Sequence, residues 1–269
     1  MYALDFEYDG GLLSDYGFII CNFNSTSGAD IIDAGSTITF NKVSRYRGKQ
    51  FSLVGTQYDT CIQANFHICK NPDIFDDLKI TDDEFRKIFR WLNRKEFLKF
   101  RVVDNEDLSE SRFYYSSFNI SKIKIGEVLY GIDLTMETDK PFAYGNEQVF
   151  YFEITDTSKS VLISDYSDEI GSLYPNVKIV CNEDGDLSIS NSFDNSVVLI
   201  KNCKTGEKIT LYGSTQIITS SLDNHDICND FNYEFLKISN SIETRYNNIT
   251  VSLPCCIEIS YSPIIKDIP

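Results

Sequence analysis

Residues 80–103, ITDDEFRKIFRWLNRKEFLKFRVV, read as a helix that runs directly into a strand, and they set the class of the fold. Thr81 followed three residues later by Glu84 spaces a capping box: the hydroxyl accepts from the N–H of Glu84 while the carboxylate reaches back to the N–H of Thr81. Phe85, Ile88, Phe89 and Leu92 then fall at i, i+3, i+4 and i+7, one apolar stripe, with Arg86, Lys87, Arg90 and Asn93 on the other side. Asp82, Asp83 and Glu84 occupy the first turn and Arg90, Arg94 and Lys95 the last turn or just beyond it, which suits the helix dipole. From Phe97 the period drops to two, with Phe97, Lys99 and Arg101 facing one way and Leu98, Phe100 and Val102 the other. The spacing predicts a helix near residues 81–93 that packs across a sheet and feeds back into it, an α+β arrangement.

Nearly everything around this stretch alternates as β-sheet. Residues 2–23 read as a strand, a Gly10–Gly11 turn and a second strand containing Phe18, Ile20 and Phe23. Strands are also expected at 36–43, 51–58 and 61–69, the last with Ile62, Ala64, Phe66 and Ile68 opposite Gln63, Asn65 and His67. After the helix come an acidic loop at 104–110, an aromatic strand RFYYSSF at 112–118, and two paired strands at 120–137. Pro141 and Gly145 then punctuate the chain. Beyond them short strands recur at 149–154, 161–164, 177–181, 187–191, 197–202, 208–212, 215–219, 248–253 and 256–261, separated by turns such as Glu183-Asp184-Gly185, and no helical period competes. Residues 1–145 are therefore expected as a β-rich domain with one helix, and residues 146–269 as an antiparallel β-sandwich of lectin-like or jelly-roll kind.

Charge supports that division and narrows the function. The net charge is −15 over 269 residues, of which residues 1–145 carry −5 and residues 146–269 carry −10. Such a surface repels phosphates, so no specific nucleic-acid binding is expected. No apolar run reaches the ~20 residues of a membrane span, and MYALDFEYDGG lacks the basic start and apolar core of a signal peptide. The eight cysteines form no CxxC pair and several lie within expected strands, so they read as reduced apolar fillers, with no metal or other cofactor implied.

With His67 and His225 the only histidines, and no G-x-S-x-G, H-E-x-x-H or glycine-rich phosphate loop, enzymatic chemistry is not expected. The carboxylates are scattered through turns such as Asp76-Asp77, where capping and solvation account for them. Sugar stacking is the remaining binding chemistry. Trp91 reads as a packing residue of its helix, while Tyr166, Tyr174, Tyr212, Phe231, Tyr233 and Tyr246 are the rings a saccharide would use in the second domain. The basic turn Arg45, Arg47 and Lys49 around Gly48 reads either as a solvated tip or as a contact to an acidic neighbouring subunit, and Asp104, Glu106 and Asp107 lie in an acidic loop.

The order of segments LLSDYGFII, FRWLNRKEFLKFRV, RFYYSSF and GIDLTMETDKPFAYG, followed by NSFDNSVVLIKN, GEKITLYG and NNITVSLPCCIEISYSP, resembles the distal tail proteins of long-tailed phages over nearly the whole chain. The resemblance implies a structural virion protein, assembled in the bacterial host cytoplasm, whose first domain forms a homo-hexameric ring. That ring would join the tail tube protein to the tail-tip protein and the receptor-binding proteins. It implies a galectin-like second domain, for which a carbohydrate-binding or host-adhesion role is the alternative, although the His-Asn-Arg and Trp-Glu set of galectins is not present. A ring needs a heterologous interface, and the Arg45–Lys49 turn, the 104–110 loop and unpaired strand edges within 36–70 are its candidates.

Overall fold

The capping box at Thr81 forms as its spacing predicts. In the computed structural model Glu84 N donates to Thr81 Oγ1 at 3.3 Å and Thr81 N donates to Glu84 Oε2 at 2.8 Å. The structure describes residues 5–23, 38–45, 50–103, 112–155 and 159–266. These fall into two compact units, residues 1–145 with 265–269, and residues 146–264. The second domain was expected to run to residue 269, but the chain is back in the first unit from Ile265, which packs against that unit's core.

The first unit is built from β1 (Asp5–Tyr8), β2 (Gly11–Leu12), a 3-10 turn (Leu13–Tyr16), β3 (Phe18–Cys21), β4 (Ile38–Arg45), β5 (Gln50–Tyr58), β6 (Gln63–Lys70), α1 (Asp82–Leu92), β7 (Leu98–Val103), β8 (Arg112–Ile125), β9 (Val128–Thr138) and β10 (Ala143–Gly145). Its main sheet runs β2-β1-β7-β8-β9-β6-β3, with β10 added against the start of β8. The opening segment is not one hairpin. β1 turns through Gly10, which has positive φ, into the two residues of β2, whereas β3 lies at the opposite edge against β6. The 3-10 turn carries the chain across, and the buried Leu13 fixes it to the core.

The helix covers the core face of this sheet, but turned from the expected stripe. Ile88 and Leu92 are buried and Phe85 is half-buried, yet Phe89 is 39% exposed and Trp91 takes the inner position instead. The cause is a set of contacts far away in sequence. Trp91 Nε1 donates to Tyr8 O at 3.0 Å, and its ring stacks on Tyr16 and Phe6 at 4.4 and 5.7 Å between centroids. Gly11 makes room, since a Cβ there would lie 3.3 Å from Trp91 Nε1. Asn93, expected to face outward, donates to Phe118 O at 2.8 Å and closes the helix onto β8. At the other end the buried Lys70 ammonium meets Glu84 Oε1 at 2.8 Å, tying the helix start to β6. Beneath lies an aromatic cluster in which Phe6, Phe66, Phe100 and Phe118 pack edge-on or offset.

The second unit comprises β11 (Gln148–Ile154), β12 (Lys159–Ser164), β13 (Gly171–Leu173), β14 (Asn176–Cys181), β15 (Gly185–Asn191), β16 (Ser196–Cys203), β17 (Lys208–Tyr212), β18 (Ile217–Ser220), the one-turn α2 (Ile227–Asp230), β19 (Ile238–Asn240), β20 (Tyr246–Val251) and β21 (Cys255–Tyr261). A five-stranded sheet, β11-β21-β14-β17-β18, and a four-stranded sheet, β12-β20-β15-β16, are antiparallel throughout, and β13 pairs with β19. Alternate residues such as Ile257 and Ile259 of β21, Val177 and Ile179 of β14, and Ile189 of β15 fill one core between them, the pattern of an antiparallel sandwich. Two short strands and α2 were not anticipated, because three or four residues carry no period. All eight cysteines are free thiols, with Cys181, Cys203 and Cys255 buried in this core.

Candidate functional site

The feature that stands apart from both cores is the β4–β5 hairpin, a two-stranded sheet of its own. Its register pairs Ile38 with Tyr58 and Arg45 with Gln50, with a bulge at Asn41/Lys42. It carries six large apolar side chains in the open: Ile38, Phe40, Val43, Phe51, Leu53 and Val54, each between 43% and 69% exposed. Phe40 and Val43 are three residues apart in β4 and so point to opposite faces, yet both are exposed, so neither face of the hairpin is covered. Isolated two-stranded ribbons are marginal in water, and an apolar one needs a partner surface. Of the expected contact residues, Arg45 is the last residue of β4. Arg47 and Lys49, and the acidic Asp104, Glu106 and Asp107, lie outside the described residues. Sequence reading named the charged turn, the 104–110 loop and unpaired strand edges within 36–70 as contacts; it did not single out Phe40, Val43, Phe51, Leu53 and Val54, which follow no single-face alternation.

Two clusters bear titratable groups. On the sheet face away from α1, His67 lies across from Cys21 on one side and Asp133 on the other, with Nε2 at 3.4 Å from Asp133 Oδ1 and the ring edge-on to Phe23. The Cys21 thiol is engaged with Cys69, whose hydrogen bond, together with burial, pushes Cys21 up, while Cys69 is lowered by the same bond. Cys21, the thiol cross-strand from His67, is thus held protonated, not activated. In the second unit the His225 ring is 3% exposed, with Nδ1 2.5 Å from Glu207 Oε1 and Nε2 2.9 Å from Lys201 O and 3.3 Å from Asp230 Oδ2. Glu207, wholly buried, also accepts from Ser220 Oγ and Lys204 N. Every group facing His225 is an acceptor, so this cluster ties α2 and the β16–β17 turn together; it leaves no free base.

Among the described residues, no group of three or more His, Cys, Asp and Glu side chains is placed to hold a metal ion, and no helix is long and apolar enough to cross a membrane. Of the rings considered for sugar stacking, Phe231 is buried at 4% against Phe235. Tyr166, Tyr174, Tyr212, Tyr233 and Tyr246 are exposed, but among the described residues no ring contact joins two of them.

Two family models match the chain: phage tail protein N-terminal domain over residues 1–140, and phage tail C-terminal domain over residues 142–261. The chain belongs to the phage tail proteins. This tail protein is similar in fold to the crystal structure of SPP1 Dit (gp 19.1), described as a paradigm of the hub adsorption apparatus in phages infecting Gram-positive bacteria. The TM-score is 0.66 at 13% identity, over 96% of this chain and 98% of that one. No curated protein matches it in sequence. It is a phage tail protein, mainly β, with a fold like that of the Dit structure.

Proposed function

We propose that this tail protein is the distal hub subunit of a long-tailed phage. Six copies close a ring that joins the tail tube to the tail-tip protein and receptor-binding proteins, and the protein assembles in the host cytoplasm and performs no covalent chemistry. The observation that carries the reading is the β4–β5 hairpin, a two-stranded sheet whose apolar residues are exposed on both faces. A subunit that keeps such a ribbon is built to lay it on another protein surface, and a repeated head-to-tail contact of that kind closes into a ring. Family membership and the Dit fold agree with this role.

Light scattering after size exclusion tests it. The expected mass is six times 30.8 kDa, with rings in negative stain. Replacing Phe51 and Val54 by serine is expected to leave the unfolding free energy within about 0.5 kcal/mol of the parent, as for other exposed sites, while dispersing the hexamer. A parent protein that stays monomeric at all concentrations, with or without the tube protein, would overturn the ring.

A further inference from the structure

The outer side of α1 is cationic. With Ile88 and Leu92 inward, Arg86 and Arg90 lie along the opposite line of the helix, with Lys87 on one shoulder and Phe89 on the other. Phe85 beside them lies under the Lys122 ammonium of β8, 4.1 Å from the ring centre, and its ring is 5.8 Å from that of Phe89. Asp83, Phe85, Arg86, Lys87, Phe89 and Arg90 line a shallow open depression. Arg86, Lys87 and Arg90 make no ion pair among the described residues. In a chain of net charge −15 this is a local reversal of sign.

Its complement is in the same unit. The loop between β6 and α1 presents Asp73, Asp76 and Asp77 to solvent together with Ile74, 61% exposed, and Leu78, 38% exposed. It has a built shape: Ile74 N and Phe75 N donate to Asn71 O, and Lys79 N donates to Asp77 Oδ1. The Phe75 ring is seated against Gly17, where a Cβ would come within 2.5 Å of it. None of the three carboxylates reaches a cation of α1 within the subunit.

We propose that these two surfaces meet between copies, the Asp73–Leu78 loop of one subunit seated on the Phe85–Arg90 face of the next. The proposal rests on the ring reading and names one of its contacts. The two patches differ, as a heterologous interface requires, are opposite in charge, and each carries apolar side chains among its charges. Ile74 and Leu78 against Phe85 and Phe89 supply affinity, while the surrounding charges supply register and rate and make assembly sensitive to salt.

The test is a charge swap read by native mass at low and high salt, with thermal unfolding as the control of fold. R86E/R90E alone and D73K/D76K alone are each expected to stay folded and to need at least about tenfold more protein to assemble. The chain carrying all four changes is expected to assemble as the parent does. A parent ring with R86E/R90E assembling at the same concentration and salt would overturn this contact while leaving the ring intact. Loss in both variants without recovery in the combined chain would overturn the pairing of these surfaces. A parent that never assembles would overturn the ring reading itself.

Discussion

His225 decides the pH dependence of the second unit. Burial disfavours its charged form, but the Glu207 carboxylate against Nδ1 and the acceptors at Nε2 outweigh it, so its pKa stands above the usual 6.5. Glu207 is likewise opposed by burial yet held below its usual 4.5 by His225, Ser220 and Lys204 N. The signs are opposite. The histidine contributes stability that is complete below about pH 6.5 and is lost as pH rises through its raised pKa; the glutamate contributes above about pH 4.5 and is lost as pH falls through its lowered one. The calorimetric transition of the second unit is therefore expected to be most stable between those values. Glu207→Gln, which removes the buried carboxylate against Nδ1 and leaves Asp230 Oδ2 beside Nε2, is expected to cost about 3–5 kcal/mol, and His225→Gln to flatten the profile above pH 6.5. An unchanged profile in His225→Gln would show that the pair does not control it. Both histidines are plain in the sequence, but that Glu207, 18 residues away, would be the partner of His225 is settled by the β16–β17 turn.

At the scale of the element, α1 shows how far periodicity goes. Its existence, its N-terminal cap and its passage into β7 follow from residues within four positions of one another, and all form. Its rotation does not, because Trp91 is drawn inward by Tyr8, Phe6 and Tyr16, about 80 residues away. Trp91→Ala is expected to cost the first unit about 3–5 kcal/mol, as for other large aromatic deletions. Trp91→Phe, which keeps the stacking but leaves Tyr8 O without its donor, should cost about 1–2 kcal/mol. Phe89→Ser, on the exposed side, should lie within about 0.5 kcal/mol. Equilibrium denaturation followed by circular dichroism orders the three, and a Phe89 change as costly as that at Trp91 would contradict the observed rotation.

Over the whole molecule, the chain leaves the first unit after Gly145 and returns to it at Ile265, so the backbone passes between the units twice. Trp91 is the sole tryptophan, and it lies in the first unit, so its fluorescence reports that unit alone. Ile265→Asn is expected to lower the fluorescence transition by about 1–2 kcal/mol, through lost apolar contact and an unneeded amide against the core. The calorimetric transition of the sandwich should stay in place. A shift of the sandwich transition alone would place Ile265 with the wrong unit.

The sequence by itself determined a β-rich chain with one capped helix, the nine principal strands of the second unit, and a resemblance that the family models support, because alternation, capping and turn chemistry are local. Only the tertiary structure decided that β3 crosses to the far edge of its sheet, that Trp91 and not Phe89 faces the core, that Ile265 rejoins the first unit, and that β4–β5 stands apart with apolar faces uncovered. Each of these depends on which distant surface buries a given side chain. Apolar residues meant for the chain's own core and those meant for another protein have the same chemistry, and packing is what separates them.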